Sequence, residues 1–225
     1  MSNFNVRILE NVTGELLFDY LKNEIRWFDD ITHLGGTIPR LFALQATIED
    51  GKIPLYRHPL DNPPTVVQFT PTVDKIRKIL ESKLNIILNH AIIQLYRNGE
   101  DFISEHSDKT LDICPNSLIV GYSIGETRIM KFRSKDSIGV DIKQDNVPVY
   151  DIHNIELRND SAMILDLNTN RYYKHSIRSN ASIVNPRISI TFRTIGTFVK
   201  DGVIEGQGVA IDNLLSIADN KLSIA

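Results

Sequence analysis

The stretch Arg187-Ile188-Ser189-Ile190-Thr191-Phe192-Arg193 alternates strictly between polar and apolar residues. Side chains two positions apart in an extended chain point to the same face, so this pattern predicts a strand with one polar and one apolar face. Arg187 and Arg193 stand at the two ends of the polar face, about 20 Å apart at ~3.3 Å per residue. Guanidinium groups bind carboxylates in bidentate fashion, so the pair predicts a clamp for a dicarboxylate. The alternative is a half-exposed edge strand whose arginines reach into water.

Similar strand-like runs fill the second half of the chain. They are rich in Ile, Val, Tyr and Phe, and they cover 91–96, 118–123, 128–133, 152–157, 162–167, 171–177 and 187–194. Many short strands separated by turn residues predict an antiparallel barrel or a double-sheet jelly roll. Two helices are predicted ahead of them, over 14–27 and 74–89, where apolar residues recur at the helical period. The expected fold class is mainly β with flanking helices (α+β), around a jelly-roll core.

We expect one structural domain from the 225 residues. Residues 1–89 are expected to form N-terminal helices and a lid packed on the core, residues 90–200 the β core, and residues 201–225 a C-terminal tail. Six of the nine prolines lie between positions 32 and 73. This density predicts long loops over the mouth of the barrel.

Composition narrows the classes of function. The net charge is −3 and the pI about 6.1, so no general basic field draws the protein to nucleic acid or to an anionic membrane. A single cysteine, Cys114, excludes an internal disulfide and a Cys-rich zinc module. We expect an intracellular protein, cytoplasmic or nuclear, with no membrane partner. The oligomeric state stays open at this stage.

A candidate metal site begins in Glu105-His106-Ser107-Asp108. His106 and Asp108 are two positions apart, so an extended chain turns both to one side. His175, in a later predicted strand, is the best candidate for a third ligand. Two His and one carboxylate form the facial triad of non-haem Fe(II) oxygenases. The alternative is a solvated surface pair, because a His-x-Asp spacing arises often by chance.

The predicted strand before this motif carries Gln94 and Tyr96 on one face. An amide and a phenol are good hydrogen-bond donors for a carboxylate ligand. The alternative for both side chains is simple exposure to water.

Together these residues resemble a known family. Tyr96, the His106–Asp108 motif and His175 are followed by the two arginines, which lie 12 and 18 residues after His175. This order resembles the AlkB-like Fe(II)/2-oxoglutarate dioxygenases, in a fungal or microbial branch, over about 91–199.

The resemblance implies a double-stranded β-helix. It also implies Fe(II), 2-oxoglutarate as cosubstrate, and O₂. The implied iron ligands are His106, Asp108 and His175. Arg187 and Tyr96 are implied to hold the distal carboxylate of 2-oxoglutarate, and Arg193 its metal-proximal end, while Gln94 stands where the family usually has Asn.

Three functions are compatible with these residues. The first is oxidative demethylation of alkylated nucleobases in DNA or RNA, or of an alkylated nucleotide. The second is hydroxylation of a small metabolite or a protein side chain on the same fold. The third is a non-catalytic jelly-roll binding protein. Base-repairing members of the family usually carry an acidic residue where this chain has Thr110, and this difference weakens the first function.

Substrate contacts are predicted from the few cations. We expect the lid at 31–73, together with a face formed by Lys131, Arg133 and Lys135, to border the open side of the metal site. Arg40 and Arg133 are the residues expected to meet a phosphate or another anion. Thr110 is the expected hydrogen-bonding partner of a substrate base.

Overall fold

The computed structural model describes residues 4–29, 38–57, 65–141 and 147–209, apart from the side chains at 140 and 141. Its helices are α1 (Phe18–Glu24), α2 (Pro71–Leu84) and α3 (Leu167–Tyr172). Its strands are β1 (Val6–Leu9), β2 (Leu41–Ala46), β3 (Ile53–Pro54), β4 (Val67–Gln68), β5 (His90–Tyr96), β6 (Ile103–His106), β7 (Leu118–Gly125), β8 (Arg128–Ser134), β9 (Gly139–Asp141), β10 (Val147–Val149), β11 (Ile152–Leu157), β12 (Ser161–Asp166), β13 (Tyr173–Ile177), β14 (Arg187–Arg193), β15 (Thr197–Lys200) and β16 (Val203–Gly206).

A seven-stranded major sheet carries the strand that the sequence singled out. Its order is β1-β12-β7-β14-β5-β2-β4, with β14 antiparallel to both of its neighbours. The apolar face of β14, formed by Ile188, Ile190 and Phe192, is fully buried. These side chains share one hydrophobic core with apolar residues of α1 and α2. The helices therefore cover one face of the major sheet and leave the polar face of β14 turned the other way.

The sequence explains where helix α2 begins and ends and which face it buries. Pro71 stands in its first turn, where a fixed φ and a missing N–H do no harm. Val73, Ile76 and Leu80 form its buried stripe. The chain leaves the helix at Asn85, whose φ of 53° is left-handed. The helix therefore ends at Leu84, earlier than the prediction over 74–89, because a left-handed residue ends an α-helix.

A four-stranded minor sheet, β11-β8-β13-β6, forms the second layer of the jelly roll. Phe132 of β8 and Ile177 of β13 are buried in a second core with Tyr96 and Ile119 of the major sheet. This second core lies on the side of the major sheet opposite helices α1 and α2, and Leu167 of α3 packs against it. The jelly-roll prediction is confirmed, and the polar face of β14 looks into the space between the two sheets.

Two local predictions are corrected. The strand predicted over 171–177 begins only at Tyr173, because the carboxylate of Asp166 accepts a hydrogen bond from the Thr169 N–H at 2.6 Å and starts helix α3 instead. The expected tail at 201–225 begins with an ordered strand. Residues 203–206 pair with β15, which also pairs with β3. Residues 210–225 of that tail, and 31–37 and 58–64 of the expected lid, lie outside the described residues.

Candidate active site

Three side chains from the minor sheet and the loop after it converge on one point. His106 ends β6 and pairs across the sheet with His175 of β13. Asp108 follows two residues after His106. Its Oδ1 lies 3.9 Å from His106 Nε2 and 3.7 Å from His175 Nε2. The three ligand atoms all lie within 4.8 Å of one another, a spacing suited to one metal ion.

The electrostatics of the triad also fit a cation. His106 Nδ1 lies 2.8 Å from the carbonyl of Ser104, so an N–H there donates to that carbonyl and leaves Nε2 as the ligand atom. Burial and the charge of His106 lower the pKa of His175 to about 4, which keeps its imidazole neutral. Burial alone would raise the pKa of Asp108, but Arg193 and the two histidines hold it below its usual value. The residues present therefore fit a divalent metal.

Helix α3 supports the segment that carries Asp108. The Asp108 N–H donates to Asn170 Oδ1 at 2.9 Å, and Asn170 Nδ2 donates back to the Asp108 carbonyl at 3.0 Å. Ser107 Oγ donates to the carbonyl of Tyr173 at 2.8 Å. Sequence reasoning missed Asn170, because α3 itself was not predicted. The signal for it was the Asp166–Thr169 spacing of a helix N-terminus.

Arg193 lies beside the triad, with a side chain only 4% exposed. Its Nε and Nη2 donate to Asp108 Oδ2 at 3.0 and 2.5 Å. Its guanidinium also stacks on the ring of Tyr56 at 4.4 Å. Burial raises the pKa of Tyr56 to about 12, so the phenol stays neutral. Arg193 thus stands at the end of the polar face beside the triad, and its contact with the cosubstrate, which the family resemblance implies, stays a prediction.

Arg187 lies at the opposite end of the same face and is 1% exposed. It pairs across the sheet with Tyr96, and its guanidinium lies 5.2 Å from the centre of that ring. Tyr96 in turn donates to Gln94 Oε1 at 3.2 Å. Arg187, Tyr96 and Gln94 therefore form one cluster, as the sequence predicted.

Two serines complete this cluster and were missed from the sequence. Arg187 Nη2 donates to Ser123 Oγ at 2.8 Å and to Ser189 Oγ at 3.2 Å. Its Nε and Nη1 are buried and have no hydrogen-bond partner among the described residues. Burial lowers the pKa of Arg187 to about 10, so the group is still charged at neutral pH. A buried guanidinium with two unused donors fits the distal carboxylate of a dicarboxylate ligand.

Arg133 is one of the residues predicted to meet a phosphate. It lies on the face of β8 opposite Phe132, and Phe132 is the residue whose ring packs 5.6 Å from His175. Glu105 Oε1 and Oε2 accept from Arg133 Nε and Nη2 at 2.9 and 2.5 Å. The ring of Tyr150 lies 4.4 Å from the same guanidinium. Arg133 is therefore paired with Glu105 and directed away from the triad, and its contact with a substrate phosphate stays a prediction.

The two other predicted substrate residues have different positions. Thr110 lies on the loop after Asp108 with an exposed side chain, and its carbonyl accepts from the Ile113 N–H at 3.2 Å. Arg40 is half-buried and precedes β2, where its Nη1 donates to the carbonyl of Phe102 at 2.8 Å. Thr110 thus borders the triad, whereas Arg40 lies toward the Tyr96 end of the site.

A jelly roll with two His, one Asp and a buried arginine pair between its sheets defines the class of non-haem metal oxygenases that use an acidic cosubstrate. A sequence model of the 2OG-Fe(II) oxygenase superfamily matches residues 6–193, so the chain belongs to that superfamily. Membership implies Fe(II), 2-oxoglutarate and O₂ as the reacting partners.

The chain is similar in sequence to the following two relatives. Human DNA oxidative demethylase ALKBH2 is 30% identical over 127 residues, which cover 56% of this chain and 47% of that protein. Bovine alpha-ketoglutarate-dependent dioxygenase alkB homolog 3 is 25% identical over 192 residues, which cover 81% of this chain and 62% of that protein. The chain thus spans about half the length of the first of these relatives.

A solved structure shares the fold. The structure of OsALKBH1 matches with a TM-score of 0.53 at 14% identity, over 84% of this chain and 97% of that one. Within the described ranges, no helix has both the length and the apolar character needed to cross a membrane.

Proposed function

We propose that the protein oxidatively demethylates alkylated nucleobases in DNA or RNA, with Fe(II), 2-oxoglutarate and O₂. The observation that carries this proposal is the convergence of His106, Asp108 and His175 within 4.8 Å, beside a buried arginine. The name of one relative, human DNA oxidative demethylase ALKBH2, supports the choice of substrate. Such a substrate places the protein inside the cell, in the cytoplasm or the nucleus.

The proposed roles follow from the contacts. His106 and His175 would supply imidazole nitrogens and Asp108 a carboxylate oxygen to the iron. With 2-oxoglutarate and O₂, the bound iron supplies the oxidising power that hydroxylates a C–H bond of the substrate. Arg193 keeps Asp108 ionised and oriented through its two hydrogen bonds. Asn170 fixes the backbone of the same residue, so that the carboxylate does not swing away.

The cosubstrate is proposed to lie along the polar face of β14. Arg187 offers its unused Nε and Nη1 to the distal carboxylate, while Tyr96 and Gln94 lie beside it. Burial of this end excludes water and strengthens each charged hydrogen bond. Holding both ends of 2-oxoglutarate fixes its orientation, so that its reacting carbon lies near the metal.

The cation proposed to meet a substrate phosphate is Lys135. Its Nζ lies 3.4 Å from the carbonyl of Asn170, next to the segment that holds Asp108. A positive charge beside the triad favours a phosphate of a polyanion. Burial and the charge of Lys174 lower the pKa of Lys135. Lys174 pairs with Arg133 across the sheet and shares its outward face, so Lys135 alone replaces Arg133 in the proposed contact.

The direct test is turnover with defined oligonucleotides. Purified protein with Fe(II), 2-oxoglutarate and ascorbate is incubated with single- and double-stranded oligomers that carry N-methylated bases. Mass spectrometry follows loss of the methyl group, while succinate and formaldehyde are quantified. We expect one equivalent of each product per methyl group removed. The matched control is the same oligomer without methyl groups.

The second candidate, hydroxylation of a small metabolite or a protein side chain, is favoured by one residue. Thr110 is neutral and cannot accept a bond from an exocyclic amine as strongly as a carboxylate can. If 2-oxoglutarate is consumed but every methylated oligomer and nucleoside is left intact, the demethylase proposal is wrong. The same protein is then screened with amino acids and small acids for a product 16 mass units heavier, which is the mass of one oxygen atom.

A further inference from the structure

Arg40 occupies an unexpected place beside the cosubstrate end of the site. It comes one residue before Leu41, which pairs with Leu95 in the antiparallel register of β2 and β5. Arg40 itself precedes the paired residues of β2, and the Tyr96 phenol is close enough to act on its charge. From the other side of β5, Arg187 pairs with Tyr96. Tyr96 therefore has an arginine on each side, Arg187 and Arg40.

The guanidinium of Arg40 is only partly used. Nη1 donates to the carbonyl of Phe102 at 2.8 Å. Nε is buried and has no hydrogen-bond partner among the described residues. Burial lowers the pKa of Arg40, partly offset by the nearby Tyr96 and Asp101. A buried donor without a partner calls for a ligand atom, because leaving a buried polar group unpaired is unfavourable.

Positive charge is in excess around Tyr96. A third guanidinium, that of Arg128, lies 5.6 Å from the centre of the ring and donates to backbone carbonyls, including that of Asp101 at 2.9 Å. The carboxylate of Asp101 is 5% exposed and is already bound by Arg97, from Nη2 at 2.8 Å. Desolvated cations without matching anions are unfavourable. A ligand carboxylate at this end would restore the balance.

We propose that Arg40 is a specificity residue for the cosubstrate: its charge and its unused Nε–H favour a ligand with a distal carboxylate. This inference rests on the proposed function, because it needs 2-oxoglutarate to lie along β14. It assigns Arg40 to the cosubstrate and not to a phosphate of the substrate, which was the expectation from sequence. Arg187 binds the distal carboxylate directly, and the positive charge of Arg40 adds to the electrostatic attraction for that carboxylate.

The test compares two ligands that differ only at the distal end. Calorimetry measures binding of 2-oxoglutarate, and of 2-oxopentanoate, which has a methyl group in place of the distal carboxylate, to the full-length protein loaded with Mn(II). The variants are Arg40→Met, which keeps a long apolar side chain, and Arg40→Lys, which keeps the charge. Arg158→Met is the matched control, because Arg158 is exposed and pairs with Glu156 on the surface. Thermal unfolding verifies that each variant is folded.

We expect Arg40→Met to weaken 2-oxoglutarate binding about tenfold and 2-oxopentanoate binding less than about twofold, with Arg40→Lys in between. Equal loss for both ligands, or no loss for either, would overturn the inference. So would unchanged 2-oxoglutarate binding together with weaker, less salt-dependent binding of an oligonucleotide, which would make Arg40 a substrate contact. If the unaltered protein itself does not bind 2-oxoglutarate, the proposed function fails along with the inference.

Discussion

At the scale of single residues, the candidate site contains buried side chains whose positions are fixed by hydrogen bonds. Asp108 is held by Arg193 from one side and by Asn170 through its backbone from the other. His175 is 8% exposed at its side chain and stays neutral because burial lowers its pKa to about 4. A neutral imidazole needs no deprotonation before it binds a metal. His175 is therefore the ligand whose removal should have the clearest effect.

We predict that His175→Ala weakens Mn(II) or Fe(II) binding by more than about a hundredfold, because two protein ligands remain where three converge. Calorimetry of the metal-free protein measures the affinity. His153→Ala is the matched control, since His153 lies on β11 outside the triad and pairs with Asp151. Equal metal affinity in His175→Ala and in the unaltered protein would remove His175 from the site.

At the scale of elements, Asp112 joins three parts of the chain near the metal. The Arg57 N–H and Nη2 donate to its two carboxylate oxygens at 2.8 and 2.7 Å. Thr197 also bonds to Asp112, and its Oγ1 accepts from the Gly208 N–H at 3.0 Å. Asp112 lies four residues after Asp108, so the segments around Arg57 and Gly208 brace the loop that follows this candidate metal ligand.

The stability that Asp112 contributes should depend on pH. Burial alone would raise the pKa of Asp112, but the hydrogen bonds from Arg57 outweigh it, and the folded pKa is lowered. A lowered pKa means that the folded state favours the ionised form. The contribution is therefore complete above the unfolded pKa of about 3.9 and is lost as the pH falls through the folded value.

We predict that Asp112→Asn lowers the free energy of unfolding by about 1.5–3 kcal/mol at neutral pH, and that the difference shrinks at acid pH. Urea unfolding at about pH 7, 5 and 3 measures it. Asp201→Asn, in an exposed turn with a φ of 49°, is the control and should show no such trend. A difference that stays constant or grows toward acid pH would contradict the proposed ion pair.

At the scale of the whole molecule, charge is distributed unevenly. The net charge of −3 gives no general attraction to a polyanion. Cations near the metal site fall into two kinds. Arg133 is paired with Glu105, whereas Lys135 Nζ lies 3.4 Å from the carbonyl of Asn170, beside the segment that holds Asp108. A nucleic acid would therefore bind through few local contacts, and its affinity should respond to salt only modestly.

We predict that Lys135→Ala reduces the slope of log affinity against log salt by about one unit, as expected for one lost phosphate contact. Binding of a methylated oligonucleotide is measured between about 50 and 200 mM salt. Arg133→Ala is the matched control, and its slope should be unchanged because Glu105 already holds that charge. If Arg133→Ala lowers the slope and Lys135→Ala does not, our revision of the substrate surface is wrong.

The sequence predicted most residues of the candidate site but not Asn170, which holds one of them in position. Alternation placed Arg187 and Arg193 on one strand face, and the His106–Asp108 spacing placed two side chains on one side of the chain. These patterns are local, because strand geometry repeats every two residues. Asn170 escaped prediction, since its role depends on helix α3 reaching the loop at Asp108, 62 residues away along the chain.

By itself, the sequence determined the strand pattern, the polar face of β14 and the residue types needed for a metal and a dicarboxylate. Periodicity and side-chain chemistry are properties of short segments, and they can be read without a fold. Only the tertiary structure decided which cations stay available. Arg133 is neutralised by Glu105, which lies two strands away in the minor sheet, and Arg40 lies near Tyr96 because Leu41, which follows it, pairs with Leu95. Partners of this kind come from distant parts of the chain, and their distances are set only when the two sheets close on each other.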